Sequence, residues 1–265
     1  MFALMLFLTG CISNPGSLSD GSGTETPNRR DIFAKWKVTD PNARFTSIEL
    51  TDDEVYIVIE REESAEADHP ARETLKFHTG KYTVSEDSVE VYLIDFGILQ
   101  IDPSSGEKSA AVKLQLEPRL AFPNHDIYEF NAEKAVEIAS STKTDLICRN
   151  WKFVRFLLNG VLWEPWEEPE AWPTWEFPQS KPEITNLFSK AGTYLQTLTV
   201  DGAQTLTVLG EWKWVDENEN AFYHTDWRAG NWQEDAVNVT LTETTFAITE
   251  VFNNGDILIT EFEFF

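Results

Sequence analysis

A short phrase that occurs twice constrains the fold of this chain more than any other feature. Trp36-Lys37-Val38 opens one β-rich segment, and Trp151-Lys152-Phe153 opens another 115 residues later. After each copy the same order follows: a loop, several alternating strands, a strand that starts with glycine and carries aromatic residues, an acidic turn, and further strands. The two glycine strands are residues 80–84 and 210–215. This duplication predicts two related β-modules in one chain.

Alternating apolar and polar residues predict the strands of both modules. Residues 46–51 and 55–60 flank an acidic turn, and residues 193–200 and 205–209 flank Asp201-Gly202, which is a strong hairpin signal. Short strands at regular spacing, separated by turn residues, are typical of antiparallel barrels and sandwiches. We therefore predict an all-β fold made of two tandem antiparallel up-and-down meander barrels.

The segment between the two modules has a different pattern. Residues 131–140 combine alanine, valine and isoleucine with glutamate and lysine, which predicts a helix. Asp145 is a candidate cap for a second short turn before Trp151. The predicted organisation is a first module at residues 31–118, a linker with one short helix at 119–145, and a second module at 146–265.

The N-terminus carries a short apolar run that ends at a cysteine. Residues 1–8 are apolar but fall short of the roughly 20 residues that span a bilayer. The run ends in Leu8-Thr9-Gly10-Cys11, which resembles a bacterial lipobox. That resemblance implies that residues 1–11 are a signal segment and that Cys11 is diacylated, because a pair of acyl chains anchors a protein stably where one does not. A buried N-terminal strand with an ordinary cysteine is the alternative.

A polar, glycine- and serine-rich stretch follows the cysteine. Residues 12–30 hold almost no large apolar side chains, so we expect a flexible tether. Ser13, rather than aspartate, stands second after Cys11. By resemblance to other lipoproteins this implies an outer-membrane lipoprotein of the bacterial cell envelope and leaves the leaflet undecided.

Charge and motif content narrow the classes of function. The net charge of −24 repels phosphate backbones, so we expect no nucleic-acid partner. The 2 cysteines and 4 histidines form no ligand cluster, which predicts neither a metal site nor a cofactor. No nucleophile motif, phosphate loop or dinucleotide fingerprint is present, and we expect a protein that is not an enzyme. A carboxylate pair for glycoside hydrolysis stays open because acidic residues are abundant.

Tryptophan supplies the candidate binding residues. Residues 163–178 alternate indoles with prolines, which remove backbone donors and predict a long, stiff loop. Its indoles suit sugars, aromatic ligands or a partner protein, or they fold down to fill the barrel or seal the space between modules. Two further indoles share one face of a strand and line either a ligand or plain core. The candidates are Trp163, Trp166, Trp172, Trp175, Trp212 and Trp214.

Both modules resemble the lipocalin-like domains of Bacteroidetes-type lipoproteins, the second more closely than the first. The similarity lies in Lys35-Trp36-Lys37, in residues 148–152, in residues 189–194 and in residues 211–214. It implies an open-ended barrel with its first inter-strand loop over the mouth, and it brings no catalytic residues. The expected function is a lipid-anchored extracytoplasmic binding protein for an apolar or aromatic small molecule or a glycan. The alternative is a structural or assembly lipoprotein that binds a protein partner through the tryptophan-rich loop.

Overall fold

The chain folds into two closed antiparallel barrels of eight strands each, which confirms the predicted fold class. A computed structural model of the chain describes residues 32–62, 74–85, 90–102, 108–117, 126–167, 180–225 and 236–264. The predictions for Cys11, for the tether at 12–30, and for Trp172 and Trp175 lie outside these residues. Within the described ranges, no helix has the length and apolar character needed to cross a membrane.

Each strand of the first barrel pairs with the next strand along the chain, as in an up-and-down meander. The last strand returns to the first, with Lys134 opposite Trp36, which closes the ring. The strands are β1 (Lys35–Val38), β2 (Phe45–Leu50), β3 (Val55–Glu62), β4 (Thr74–Val84), β5 (Glu90–Leu93), β6 (Gly97–Asp102), β7 (Ser109–Leu116) and β8 (Ile127–Lys134).

The second barrel repeats this topology with one added strand. Its closing strand pairs with its first, with Phe264 opposite Trp151. The added strand β10 (Val161–Trp163) folds back onto the upper part of β9, on the edge that β11 leaves unpaired. The ring consists of β9 (Asn150–Leu158), β11 (Glu183–Phe188), β12 (Thr193–Val200), β13 (Ala203–Trp214), β14 (Ala221–His224), β15 (Val237–Leu241), β16 (Thr245–Val251) and β17 (Ile257–Phe264).

The helix predicted at residues 131–140 is wrong. Residues up to Lys134 belong to β8, which closes the first barrel beyond the boundary placed at residue 118, and the chain after Lys134 is irregular. The alanine-rich composition favours a helix only weakly, whereas β8 satisfies the open edges of both β7 and β1. The linker does contain one short helix, α1 (Thr142–Ile147), whose N-cap Ser141 accepts a hydrogen bond from the Thr144 amide.

A buried indole holds the base of each barrel in the same way. The Trp36 Nε1–H donates to the carbonyl of Ile32 at 3.1 Å, and the Trp151 Nε1–H donates to the carbonyl of Ile147 at 3.0 Å. In both copies the acceptor lies four residues earlier, on the segment that enters the barrel. The duplicated phrase therefore marks the residue that joins the first strand to the chain before it.

The turn after the second strand of each barrel repeats in the same detail. In the first copy, the Thr51 N–H donates to the Val55 carbonyl, the Val55 N–H donates to Thr51 Oγ1, and the Tyr82 hydroxyl donates to the Thr51 carbonyl. In the second copy, the Ser189 N–H donates to the Thr193 carbonyl and the Thr193 N–H donates to Ser189 Oγ, while the Ser189 carbonyl accepts from the Nε1–H of an indole, Trp212. These matching bonds fix the register by which the two barrels are compared below.

The two barrels contact each other through the outer faces of matching strands. Three leucines of the second barrel, Leu187, Leu195 and Leu209, pack against Ile57 of the first, and Val55, Ile59 and Phe77 border this cluster. Beside it lies a buried polar bridge, in which Lys35 Nζ donates to Thr193 Oγ1 at 3.1 Å and Thr193 Oγ1 donates to Glu49 Oε2 at 2.5 Å. Apart from Lys35 on β1, the residues of this contact lie on β2–β4 and on their counterparts β11–β13.

We predict that Trp36→Ala and Trp151→Ala each lower the free energy of unfolding by about 3–5 kcal/mol, because each removes a fully buried ring and its hydrogen bond. The exposed Val136→Ala is the control and should shift stability by less than about 0.5 kcal/mol. Urea unfolding followed by circular dichroism measures the three variants. Equal losses in all three would contradict the role assigned to the indoles.

Candidate functional site

Strand pairing matches each inward position of the second barrel with one of the first. Ile48 lies opposite Trp36, and Asn186 lies opposite Trp151, so Asn186 is the counterpart of Ile48. Tyr56 and Tyr194 both lie opposite the glycine that starts the aromatic strand, Gly80 in one barrel and Gly210 in the other. The same register extends around both rings.

Four inward-facing polar side chains of the second barrel stand where the first barrel has aliphatic residues. The aliphatic residues are all 0 % exposed, so these positions belong to the core of a filled barrel. The matched pairs are Asn186 and Ile48, Gln196 and Val58, His224 and Leu93, and Glu250 and Leu114. We call these four residues and Tyr194 the polar girdle of the second barrel.

One side of the polar girdle is centred on Tyr194. Its hydroxyl donates to Asn186 Oδ1 at 3.4 Å, and the Gln196 side chain, which lowers the pKa of that hydroxyl, partly opposes the effect of burial. Asn186 is buried, and its Nδ2 has no acceptor among the described residues. A buried amide donor without an acceptor is costly. This wall of the barrel therefore has hydrogen-bonding capacity that the described protein groups do not satisfy.

Glu250 stands on the opposite wall, in β16. It is half-buried and forms no hydrogen bond or ion pair with any described residue. Burial alone raises the pKa of its carboxyl group, because a low-dielectric surrounding disfavours the charged form. Burial also raises the pKa of the Tyr194 hydroxyl, and the charge of Glu250 raises it further. The two groups therefore interact electrostatically across the barrel interior.

The polar girdle lines an interior that keeps accessible surface. Tyr194, Gln196, His224 and Glu250 are half-buried, whereas their first-barrel counterparts are buried. Below the girdle, at the base, an aromatic floor of Phe188, Trp212, Phe222 and Phe246 closes the barrel. Above it, toward the hairpins at Asn159-Gly160 and Asp201-Gly202, half-buried apolar residues line the wall: Phe156, Leu198 and Val208.

The described tryptophan candidates occupy two different levels. Trp166 is buried in the core cluster and packs on Phe153 and Phe156 from a short 3-10 turn, Pro165–Glu167. Trp163 lies 5.8 Å from Phe156, measured between ring centroids. This part of the loop thus folds down onto the upper end of the barrel, which is the position expected of a lid.

The other two indoles lie at the base. Trp212 and Trp214 share one face of β13 and contact each other edge to face at 5.3 Å, as the alternation predicts. Trp214 donates its Nε1–H to Thr144 Oγ1 at 2.9 Å and so joins β13 to α1. Their contacts are those of packing residues, and their proposed contact with a ligand stays a prediction.

The first barrel places its polar groups higher and pairs them. Glu60 accepts from Arg44 Nε at 2.5 Å and from His78 Nε2 at 2.6 Å, and Arg44 also contacts the Tyr128 hydroxyl. Burial opposes the charged form of Glu60, but the hydrogen bonds from His78 and Arg44 outweigh it and lower the pKa of that carboxyl. Its counterpart in the second barrel is Leu198, so the polar levels of the two barrels are interchanged.

Two concavities of similar size are bordered by described residues. One, of about 620 Å³, lies at β6–β8 of the first barrel, where the core residues Val112 and Phe130 border it together with outward-facing residues. The other, of about 540 Å³, lies between the barrels and is lined by charged side chains. Several of these charges are paired, Lys190 with Asp145 at 2.7 Å and Lys134 with Glu137 at 4.0 Å. Ligand pockets are mostly apolar with few polar groups, and the charged cleft between the barrels departs from that pattern.

Two classes of site find no support in the described residues. No group of three or more His, Cys, Asp and Glu side chains there is arranged to hold a metal ion. Cys148 borders the cleft between the barrels, and burial raises the pKa of its thiol to about 12. A thiol with such a pKa is a poor nucleophile at neutral pH.

Comparisons with known proteins do not assign the chain to a family. No family model and no curated protein matches it. Among solved structures, a protein of unknown function from the DUF3598 family of Nostoc punctiforme is a distant match, with 9% identity, a TM-score of 0.20, and coverage of 90% of this chain and 99% of that one. The PCNA2–PCNA3 complex of Sulfolobus tokodaii matches with 11% identity, a TM-score of 0.17, and coverage of 89% and 91%. Neither likeness is strong enough to carry an argument.

The binding residues predicted from the sequence do not include the polar girdle, although its signal is visible there. In residues 193–200, Gln196 falls on the same alternating face as Tyr194 and Leu198. In residues 245–251, Glu250 falls on the face of Phe246 and Ile248. A polar residue on the apolar face of a predicted strand lies either at a barrel end or at an interior site. The sequence does not distinguish these two locations, because the distinction depends on the strand order and register of the closed barrel.

We predict that Glu250→Gln stabilises the protein at about pH 7 by up to about 1 kcal/mol, allowing for partial solvent screening. The raised pKa means that the folded state binds the Glu250 proton more tightly than the unfolded state does. The wild type therefore loses stability as the pH rises from the ordinary glutamate pKa through the raised one, whereas the glutamine does not titrate. The advantage of the variant should disappear at about pH 4.

Leu114→Glu is the reciprocal variant in the first barrel, where the position is fully buried. It should destabilise the protein by more than about 3 kcal/mol, because it buries a charge without a partner. Thermal unfolding at both pH values measures the pair. A loss of stability in Glu250→Gln at neutral pH would contradict an uncompensated carboxylate in the second barrel.

Proposed function

We propose that this protein is a binding protein that takes a small organic ligand into its second barrel, while the first barrel serves as a filled support. The observation that carries the proposal is the exchange of four fully buried aliphatic positions for polar residues between two copies of one fold. The proposal assigns binding and no catalytic residue.

Energetics support this reading of the second barrel. An interior amide or carboxyl group without a partner lowers stability, and the first barrel demonstrates that this fold accepts a wholly aliphatic interior at the same positions. Sites that depart from the rules of core packing are commonly the sites that bind or react. A ligand that satisfies the polar girdle would offset the cost of keeping it.

The layers of the barrel support a ligand with an apolar or aromatic body. The girdle supplies hydrogen bonds, and the wall above it supplies the apolar side chains of Phe156 and Leu198. Such a division, in which a few polar groups orient a mostly apolar ligand, is the usual composition of ligand pockets. A glycan with an apolar face is the other ligand class that fits the indoles of the lid.

The proposal places the protein in the bacterial cell envelope. Its support is the lipobox resemblance at Cys11 and the polar stretch at residues 12–30, together with the resemblance to lipocalin-like lipoprotein domains. A diacylated Cys11 would hold both barrels at the outer membrane on a flexible tether. The membrane is therefore a proposed partner through the lipid alone.

An assembly role is the second candidate, and it has an observation of its own. Five large apolar residues are exposed on the hairpins around the upper end of the second barrel: Val161, Leu162, Val251, Phe252 and Ile257. Exposed apolar patches often mark protein interfaces. Under this reading the tryptophan-rich loop and these hairpins bind a protein partner, and the barrel interior stays without a ligand.

We predict that titration with panels of lipids, haem-like compounds and glycans quenches or shifts the intrinsic tryptophan fluorescence, because indoles lie at the upper end and at the base of the second barrel. The double variant Gln196→Val plus His224→Leu replaces two girdle residues with the residues found at the matching positions of the first barrel. It should weaken binding at least about tenfold, which is about 1.4 kcal/mol. Val58→Ala, in the core of the first barrel, is the matched control and should retain binding. Complete silence of the wild type across all panels would favour the assembly role instead.

We also predict that the wild-type protein, expressed with its N-terminus in a bacterium, partitions into a detergent phase and that Cys11→Ala moves it to the aqueous phase. The reason is that removal of two acyl chains removes most of the free energy of membrane binding. Phase separation followed by immunoblotting measures both fractions. The lipoprotein proposal fails if the two proteins partition alike into water.

A further inference from the structure

We infer that the ligand of the second barrel is an organic amine that binds with its ammonium group against Glu250. This inference rests on the proposed binding function and names the chemical class of the ligand. Its basis is an acid on the inner wall, an apolar level above that acid, and a floor that holds aromatic rings.

Glu250 is the one carboxylate among the described inward-facing residues of the second barrel, and none of those residues is a lysine or arginine. Its oxygen atoms form no hydrogen bond or ion pair with the described protein. The contrast with Glu60 is informative, because the acid inside the first barrel is held by Arg44 and His78. The second barrel keeps an acid and lacks, in its described residues, the cation that would accompany it.

The position of Glu250 in the barrel fixes the direction of the ligand. Its strand neighbours on the inner face are Ile248, toward the base, and the paired Leu258. The polar girdle lies between the aromatic floor and the apolar upper wall, so a ligand that meets both must insert its polar end first. An ammonium group would meet Glu250, while a hydrocarbon or aryl body would lie along Phe156 and Leu198.

The aromatic residues near the girdle favour a cation as well. Tyr194 and His224 lie 5.9 Å apart, measured between ring centroids, and His224 lies 5.9 Å from Phe222. Aromatic faces attract ammonium groups, and the attraction increases when water is excluded. An anionic ligand would instead meet the Glu250 charge, whereas Lys181, a described lysine whose Nζ lies over the rings of Phe153 and Trp166, is an exposed residue outside the girdle.

The test uses calorimetric titration of the full chain with matched probes. The probes are octylammonium and 2-phenylethylammonium, their neutral counterparts 1-octanol and 2-phenylethanol, and the octanoate and 3-phenylpropanoate anions. We expect at least one ammonium probe to bind at least about tenfold more tightly than its neutral counterpart. Glu250→Gln should abolish that preference while it leaves the affinity for the neutral probe within about threefold.

The control variant is Glu263→Gln, which removes one negative charge from an exposed position of the neighbouring strand β17. It should leave the preference for ammonium intact, which separates a local contact from the overall acidity of the protein. Neutral or anionic probes that bind as tightly as ammonium, or a preference that survives Glu250→Gln, would overturn the amine inference and leave the binding function standing. Failure of all six probes to bind would overturn the inference, and silence across the wider panels as well would remove the binding function.

Discussion

The structure depends first on an indole N–H that donates to a carbonyl four residues earlier. Trp36 and Trp151 each make this bond at the base of a barrel, where the chain enters the first strand. The bond is possible only when the entering segment turns back under the sheet, so it sets where β1 and β9 begin. Once that strand is placed, the alternation of apolar residues fixes which face is inside, because a shift by one residue would reverse every side chain.

Two copies of one fold act as an internal control on each other. Register, turn and indole contacts repeat, so differences between matched positions are differences in composition on a common backbone. The first barrel is filled at the level of Ile48, Val58, Leu93 and Leu114, and it pairs its polar groups above that level. The second barrel has polar groups at the filled level and apolar ones above. Under the proposed binding function, this exchange of levels distinguishes a supporting barrel from one that binds a ligand in its interior.

Most of the fold was predictable from the sequence, and the candidate site was not. Strand alternation and turn residues act over short distances, so hairpins such as residues 193–209 could be identified directly. The strand β8 was missed because its alanine-rich sequence favours a helix, and its strand conformation depends on the distant edge of β1. Glu250 and Tyr194 lie 56 residues apart on opposite walls, so their proximity requires the closed ring.

The contact between the barrels gives a reason why the copies could diverge. It uses β2–β4 of one copy and the matching β11–β13 of the other, with Ile57 and Leu195 as corresponding residues on the two sides. Two identical subunits that associate about a twofold axis use the same surface in this way. Within one chain the contact no longer depends on concentration, so one barrel can hold the pair together through an optimised core. The other is then free to keep an interior carboxylate and amide that lower its own stability, which is the condition that an interior binding site requires.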